Sequence, residues 1–217
     1  MIIKLFYFEN DIEVLSNKIS VIEIENKKLF SKFIYSIYKK INGLDIEEEI
    51  YLFENSKEIK FSDTAFYISD PMMIDFNNKE IINTVSKLIS QQLNIETDLK
   101  NLCEQKYSEL YSLFQNILSD FTIDFDTLSQ FDIVKFIKMI GLKVDDSLYL
   151  THFEKIISII EIISELKLNK FIIFCNLKSY LSLKELQEVY KLSLYKKIPL
   201  VLFESSLDKN YFEYEKN

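Results

Sequence analysis

The chain has no arginine: all 26 of its basic residues are lysine. That removes the bidentate guanidinium fork by which proteins read guanine, so base-specific recognition is disfavoured, whereas lysine point charges can still hold phosphates. Only two glycines and two prolines occur, which marks a compositionally biased sequence. His152 is the single histidine, which excludes a histidine-rich zinc site and confines any Ser-His-Asp or Cys-His apparatus to one imidazole. It sits beside Phe153 on a strongly amphipathic segment, where it reads as a partly buried structural residue. Cys103 and Cys175 stand apart without CxxC spacing and read as reduced packing cysteines. No apolar run approaches the roughly 18 residues needed to cross a bilayer. Acidic residues within the first dozen replace the basic start of a signal peptide. These absences predict a soluble, cytoplasmic protein without membrane association. No nucleophile elbow or paired-carboxylate motif is present, and nothing argues for an enzyme.

What is present is a core. Hydrophobic residues make up 48% of 217, enough for one large domain or two small ones. Residues 170–205 organise the rest. The run Phe171-Ile172-Ile173-Phe174-Cys175 lacks in/out alternation, as strands buried on both faces of a parallel sheet do. From Leu183 the apolar residues Leu186, Val189, Tyr190 and Leu192 recur at helical spacing, and Pro199 then admits a second apolar run over 200–203. The segment reads as a βαβ unit.

Strands are predicted over residues 2–8, 19–24, 50–53 and 65–68, with a turn at 9–13 between the first two. A helix over 26–40 carries the stripe Leu29, Phe30, Phe33, Ile34, Ile37, Tyr38 and stops near Gly43. The strand-to-helix junction before it has the position of a phosphate loop. Its turn, Glu23-Ile24-Glu25-Asn26-Lys27-Lys28, has no glycine and carries two carboxylates that would repel phosphate. Asp70, at the end of a buried strand, has a Walker-B-like position, but without the loop it reads as a turn or helix cap.

From residue 78 the strand signal gives way to helix. One long helical pattern runs to 118 with a break near 94–97, a second covers 128–140 and a third 147–166. The fold class predicted is therefore α/β: a P-loop-NTPase-like head with a mostly parallel sheet, residues 1–77 and 169–217, and an inserted α-helical leg, residues 78–168.

Two features carry candidate chemistry. Asp120, Asp124 and Asp126 crowd a bend between helices, with Asp132 beyond, a composition that suits a hard cation such as calcium. The bend lacks the EF-hand glycine and final glutamate, and a solvated loop with capping aspartates accounts for it as well. The second feature is lysine placement. Residues 26–40, 133–144 and 191–197 hold eleven of the 26 lysines without one acid. Helical spacing brings Lys28 and Lys32 near one face, and Lys135 and Lys138 are a turn apart. Any one cluster is an ordinary solvated face. Three in a chain of net charge −8 suggest a polarised surface for a polyanion, of which duplex DNA is the obvious case.

The stretch FIIFCNLKSYLSLKELQEVY with PLVLFES, the stretch IDFDTLSQFDIVKFIKMIGLKV and the stretch SVIEIENKKLFSKF resemble the type II-A CRISPR-associated spacer-acquisition (adaptation) family, the DNA-end-binding ring proteins, in its shorter forms. The likeness lies in apolar patterning and element order. It implies an α/β head related to P-loop NTPases but without nucleotide chemistry, and a helical leg. It also implies a homotetrameric ring that holds double-stranded DNA without reading sequence, and calcium near the hinge between head and leg. The family acts beside the integrase and the effector nuclease as partners. Carried onto this sequence, the metal ligands are Asp124 and Asp126, with Asp120 beside them. The DNA contacts, inferred from clustering, are Lys28, Lys32, Lys135, Lys138 and Lys143. Two competing readings stand beside this one: a divergent nucleotide hydrolase and a protein-interaction scaffold.

Overall fold

The computed structural model describes residues 1–6, 8–44, 50–205 and 214–216. They divide into two compact units, Met1–Asp75 with Asp146–Asn217, and Phe76–Asp145. In chain order the first unit carries β1 (Ile2–Leu5), β2 (Ile12–Glu13), β3 (Ile19–Glu23), α1 (Lys27–Ile41), β4 (Ile50–Glu54), β5 (Lys57–Ile59), α2 (Phe61–Thr64) and β6 (Ala65–Ile68). The second holds α3 (Lys79–Ile95), α4 (Thr97–Leu118) and α5 (Ile133–Met139). The first resumes with α6 (His152–Glu165), β7 (Phe171–Cys175), α7 (Leu183–Lys196), β8 (Leu200–Glu204) and β9 (Glu215–Lys216).

Two sheets form in the first unit among the described residues. The larger has the order β6-β7-β8-β3-β9, with every neighbouring pair parallel. Its central strands β7 and β8 are buried at every position, as their unbroken apolar runs require. Phe171, Ile173, Val201 and Phe203 join a core with Phe33 and Ile37 of α1 and Ile3, Leu5, Ile50 and Leu52 of the smaller sheet. The alternate residues Ile172, Phe174, Leu200 and Leu202 point to the opposite face and are equally buried. The smaller sheet, β2-β1-β4-β5, is antiparallel throughout.

The smaller sheet departs from the sequence-based expectation. The segments at 2–8 and 19–24 do not sit either side of a simple turn. Residues 12–13 pair with β1 as β2, and β3 joins the other sheet beside β8. Strand propensity marks a segment as extended without naming its partner. The outer part of the expected first strand includes Tyr7, which lies outside the described residues.

The helical expectations hold with three corrections, the first being that the helix expected over 147–166 begins only at His152. The break near 94–97 is real, since Glu96 both ends α3 and precedes α4. The helix expected over 128–140 begins only at Ile133, because the Asp132 side chain accepts the amide hydrogens of Val134 and Lys135 and caps it there. The expected leg, 78–168, also runs too far. α6, opened by a Thr151–Glu154 capping box, belongs to the first unit and packs on α7, so the helical unit ends at Asp145. An almost wholly apolar helix demands neighbours on several sides, and the βαβ layer meets that demand. The helical unit closes on itself differently, with the Asn77 amide accepting from the Val144 N–H at 2.7 Å and donating to its carbonyl at 3.2 Å.

Candidate functional site

The junction from β3 into α1 is built on Asn26. Its side chain accepts the amide hydrogens of Lys28 and Leu29, both at 3.1 Å, and so caps the helix internally. The first turn that follows contains no acid and begins Lys27-Lys28, with Lys32 one turn on; all three lysines are exposed. Cations are disfavoured at the positive end of a helix dipole. Here the dipole and the lysines add, making a compact positive surface with no carboxylate to quench it in that turn. Toward the other end of the helix, Lys39 lies over Tyr35 and Lys40 over Tyr51, at 4.6 and 5.3 Å from the ring centroids.

At the carboxyl ends of β3 and β8, where open parallel sheets bind their ligands, the chain has filled the space with its own charges. Lys178 Nζ lies 3.1 Å from Glu215 and 3.6 Å from Glu23. The Lys178 and Glu215 side chains are 6% and 1% exposed. Tyr190 donates its hydroxyl to Glu215 at 3.0 Å, and the Lys178 amide donates to Glu204 at 3.2 Å. Burial, with Glu23 nearby, pushes the Glu204 carboxyl up to about 7 against the pull of Lys178. Three internal carboxylates thus surround one lysine. Asp70 accepts the Met72 amide at 2.8 Å and caps the turn over 71–73. His152, half buried, lies tilted against Tyr180 with ring centroids 5.0 Å apart, and both cysteines are free.

In the second unit Lys135, Lys138 and Lys143 are all exposed, and Lys135 lies 3.8 Å from the Asp132 carboxylate. Asp120, Asp124 and Asp126 are exposed in the irregular stretch after α4. That stretch is tied back to α4 through Tyr107, which donates to the Leu128 carbonyl at 2.6 Å, and through Gln115, which donates to Thr127 at 2.8 Å. The aspartates themselves take no part in that tie. Among the described residues no three carboxylate, imidazole or thiol groups gather together. α4 buries none of its residues and exposes Leu99, Leu102, Leu110, Leu113 and Ile117 at helical spacing.

Sequence reasoning missed Lys178, Glu204 and Glu215. One signal existed: Glu204 closes an otherwise wholly apolar strand, and a carboxylate there must find a partner.

Fold and site together define an α/β protein with a five-stranded parallel sheet among its described residues, and with a helical unit in mid-sequence. The family model for the CRISPR-associated protein Cas_Csn2 matches residues 43–215, and the chain belongs to that family. It is 23% identical over 206 residues to the CRISPR-associated protein Csn2 of Enterococcus faecalis, covering 95% of this chain and 90% of the relative. To the Csn2 of Streptococcus agalactiae it is 23% identical over 174 residues, covering 79% and 75%. The fold is similar to the crystal structure of Stu0660 of Streptococcus thermophilus, with a TM-score of 0.63 at 14% identity over 94% of this chain and 68% of that one. Family membership supports a role in CRISPR adaptation, and the name of neither relative carries an enzymatic activity. No helix among the described residues is long and apolar enough to cross a membrane.

Proposed function

We propose that this chain is a non-enzymatic protein that binds double-stranded DNA without reading its sequence, as a ring of four copies, in spacer acquisition beside the integrase and effector nuclease. The observation that carries the reading is the first turn of α1. Lys27 and Lys28 stand there on the positive end of a helix, with no acid in that turn, and Lys32 follows one turn on. A duplex backbone is the polyanion that such a surface suits. Lys135, Lys138 and Lys143 add a second exposed set. Four copies would repeat these few charges around a hole, which reconciles DNA binding with a net charge of −8. The exposed leucine stripe of α4 supplies an apolar surface for contact between copies.

A P-loop-derived head without nucleotide hydrolysis belongs to the same reading. Its support is the glycine-free turn and the carboxylates that crowd the carboxyl edge of the sheet. Calcium is a further proposal, in which an ion would cancel the mutual repulsion of Asp120, Asp124 and Asp126 and order the bend. Nothing in the DNA reading depends on it.

A closed ring must be threaded from an end, so linear duplex should bind and covalently closed circles of equal length should not. Equal binding of circles defeats the ring. Binding of neither would leave the scaffold reading, with α4 as its docking face.

A further inference from the structure

α6 and α7 end in the same way. After α6, Lys167 has φ +51°, its N–H bonds to the Ser164 carbonyl and the next amide, of Leu168, bonds to Ile163. After α7, Lys197 has φ +57°, its N–H bonds to Leu194 and the amide of Ile198 bonds to Ser193. These are two Schellman turns, each with lysine where glycine is the usual residue. Left-handed backbone costs a non-glycine residue about 1 kcal/mol.

Both turns open on one cleft of about 560 Å³, whose wall includes Lys167, Lys170, Lys196, Lys197, Asn169 and Glu54. It lies at the amino ends of β7 and β8, opposite the closed carboxyl edge. Among the described residues, Lys167, Lys196 and Lys197 form no ion pair, although acids outnumber lysines by 34 to 26 over the whole chain. Lys196 instead lies 6.0 Å from the ring of Tyr195, and Lys170 donates to the Ser62 carbonyl at 2.9 Å.

The sign of the cleft follows from its charges. Two helix carboxyl ends contribute about −1 together. Glu54 adds a further unit of negative charge, and Lys167, Lys196 and Lys197 supply the opposing charge. The balance is about +1 from these groups, on the half-charge-per-terminus scale of helix dipoles. A volume of this size accepts a nucleotide-sized ligand.

We propose that this cleft binds a phosphomonoester or pyrophosphate group, carried on a free nucleotide or on the 5′ end of a nucleic-acid strand. The site does not depend on the duplex-ring reading, because its lysines are none of those assigned to the duplex. Lysine at both left-handed positions, at a conformational cost, is the feature that ordinary compensation of helix dipoles does not require.

The test is calorimetric titration with inorganic pyrophosphate and with AMP, using the full chain and the variant Lys167→Gly with Lys197→Gly. Glycine suits both backbones, so the variant should melt at the same or a higher temperature without ligand. The expected result is one site per chain, weakened at least tenfold in the variant. A second arm compares 5′-phosphorylated with 5′-hydroxyl oligonucleotides. A phosphate-dependent preference lost in the variant assigns the strand end, and AMP binding without that preference assigns the free nucleotide. Failure of both probes to bind, unchanged affinity in the variant, or equal binding of sulfate at matched ionic strength overturns the proposal.

Discussion

Lys178 and Glu215 meet 3.1 Å apart in the interior, 37 residues from one another along the chain, and the contact fastens the last strand to the parallel sheet. β9 pairs with β3 through only two residues, Ile19 with Glu215 and Ser20 with Lys216. So short a ladder needs a side-chain anchor, and Lys178 with Tyr190 supplies it.

Replacing Lys178 by Met removes the cation that lies against Glu23 and Glu215 and whose amide donates to Glu204. Removing one partner of a buried pair typically costs about 3–5 kcal/mol. Lys178→Met should therefore lower the melting temperature markedly. Lys178→Met with Glu215→Leu should recover much of the loss, as a neutral apolar pair. Thermal melts of the two variants compared at pH 7 check both expectations.

Glu204 sets a pH dependence. Its folded carboxyl, at about 7, is raised above the ordinary value of 4.5. Between those values the unfolded chain loses its proton first, so this group's contribution to stability falls as pH rises and levels off above 7. Glu204→Gln keeps an acceptor for the Lys178 amide and removes the titration. The variant should match the parent near pH 4 and exceed it by about 3 kcal/mol at pH 8. Parallel pH–stability curves would show that Glu204 does not titrate in this way.

For duplex binding, log affinity should fall linearly with log salt, by about 0.9 for each phosphate neutralised, and show no preference among sequences. Lys28→Glu with Lys32→Glu should flatten that slope, as should Lys135→Glu with Lys138→Glu. Fluorescence anisotropy across a salt series measures it, and an unchanged slope in both variants removes these lysines from the interface.

Asp124→Ala with Asp126→Ala should lower melting temperature or tetramer content only when calcium is present. Solution mass and melting, each with calcium and with chelator, separate the cases. Equal loss in chelator would mean that the two aspartates stabilise the bend without an ion.

The parts of this molecule written in its sequence are those set by local periodicity. The unbroken runs at 171–175 and 200–203 specify strands buried on both faces, and the 3.6-residue stripes specify α1, α3, α4 and α7. A stop signal was legible too, since Gly43 takes positive φ just past its helix. So was the turn without glycine after β3. Partnership was not legible. β1 and β3 look alike as extended apolar segments, yet one enters an antiparallel sheet and the other a parallel one, because an alternating pattern encodes a face and not a neighbour. α6 announces only that it must be covered. The tertiary fold decided that α7 lies beside it, that Lys178 meets Glu23 and Glu215, and that two left-handed lysines thirty residues apart open on one cleft. Charges separated along a chain come together only when the core between them has formed, and their chemistry becomes readable there.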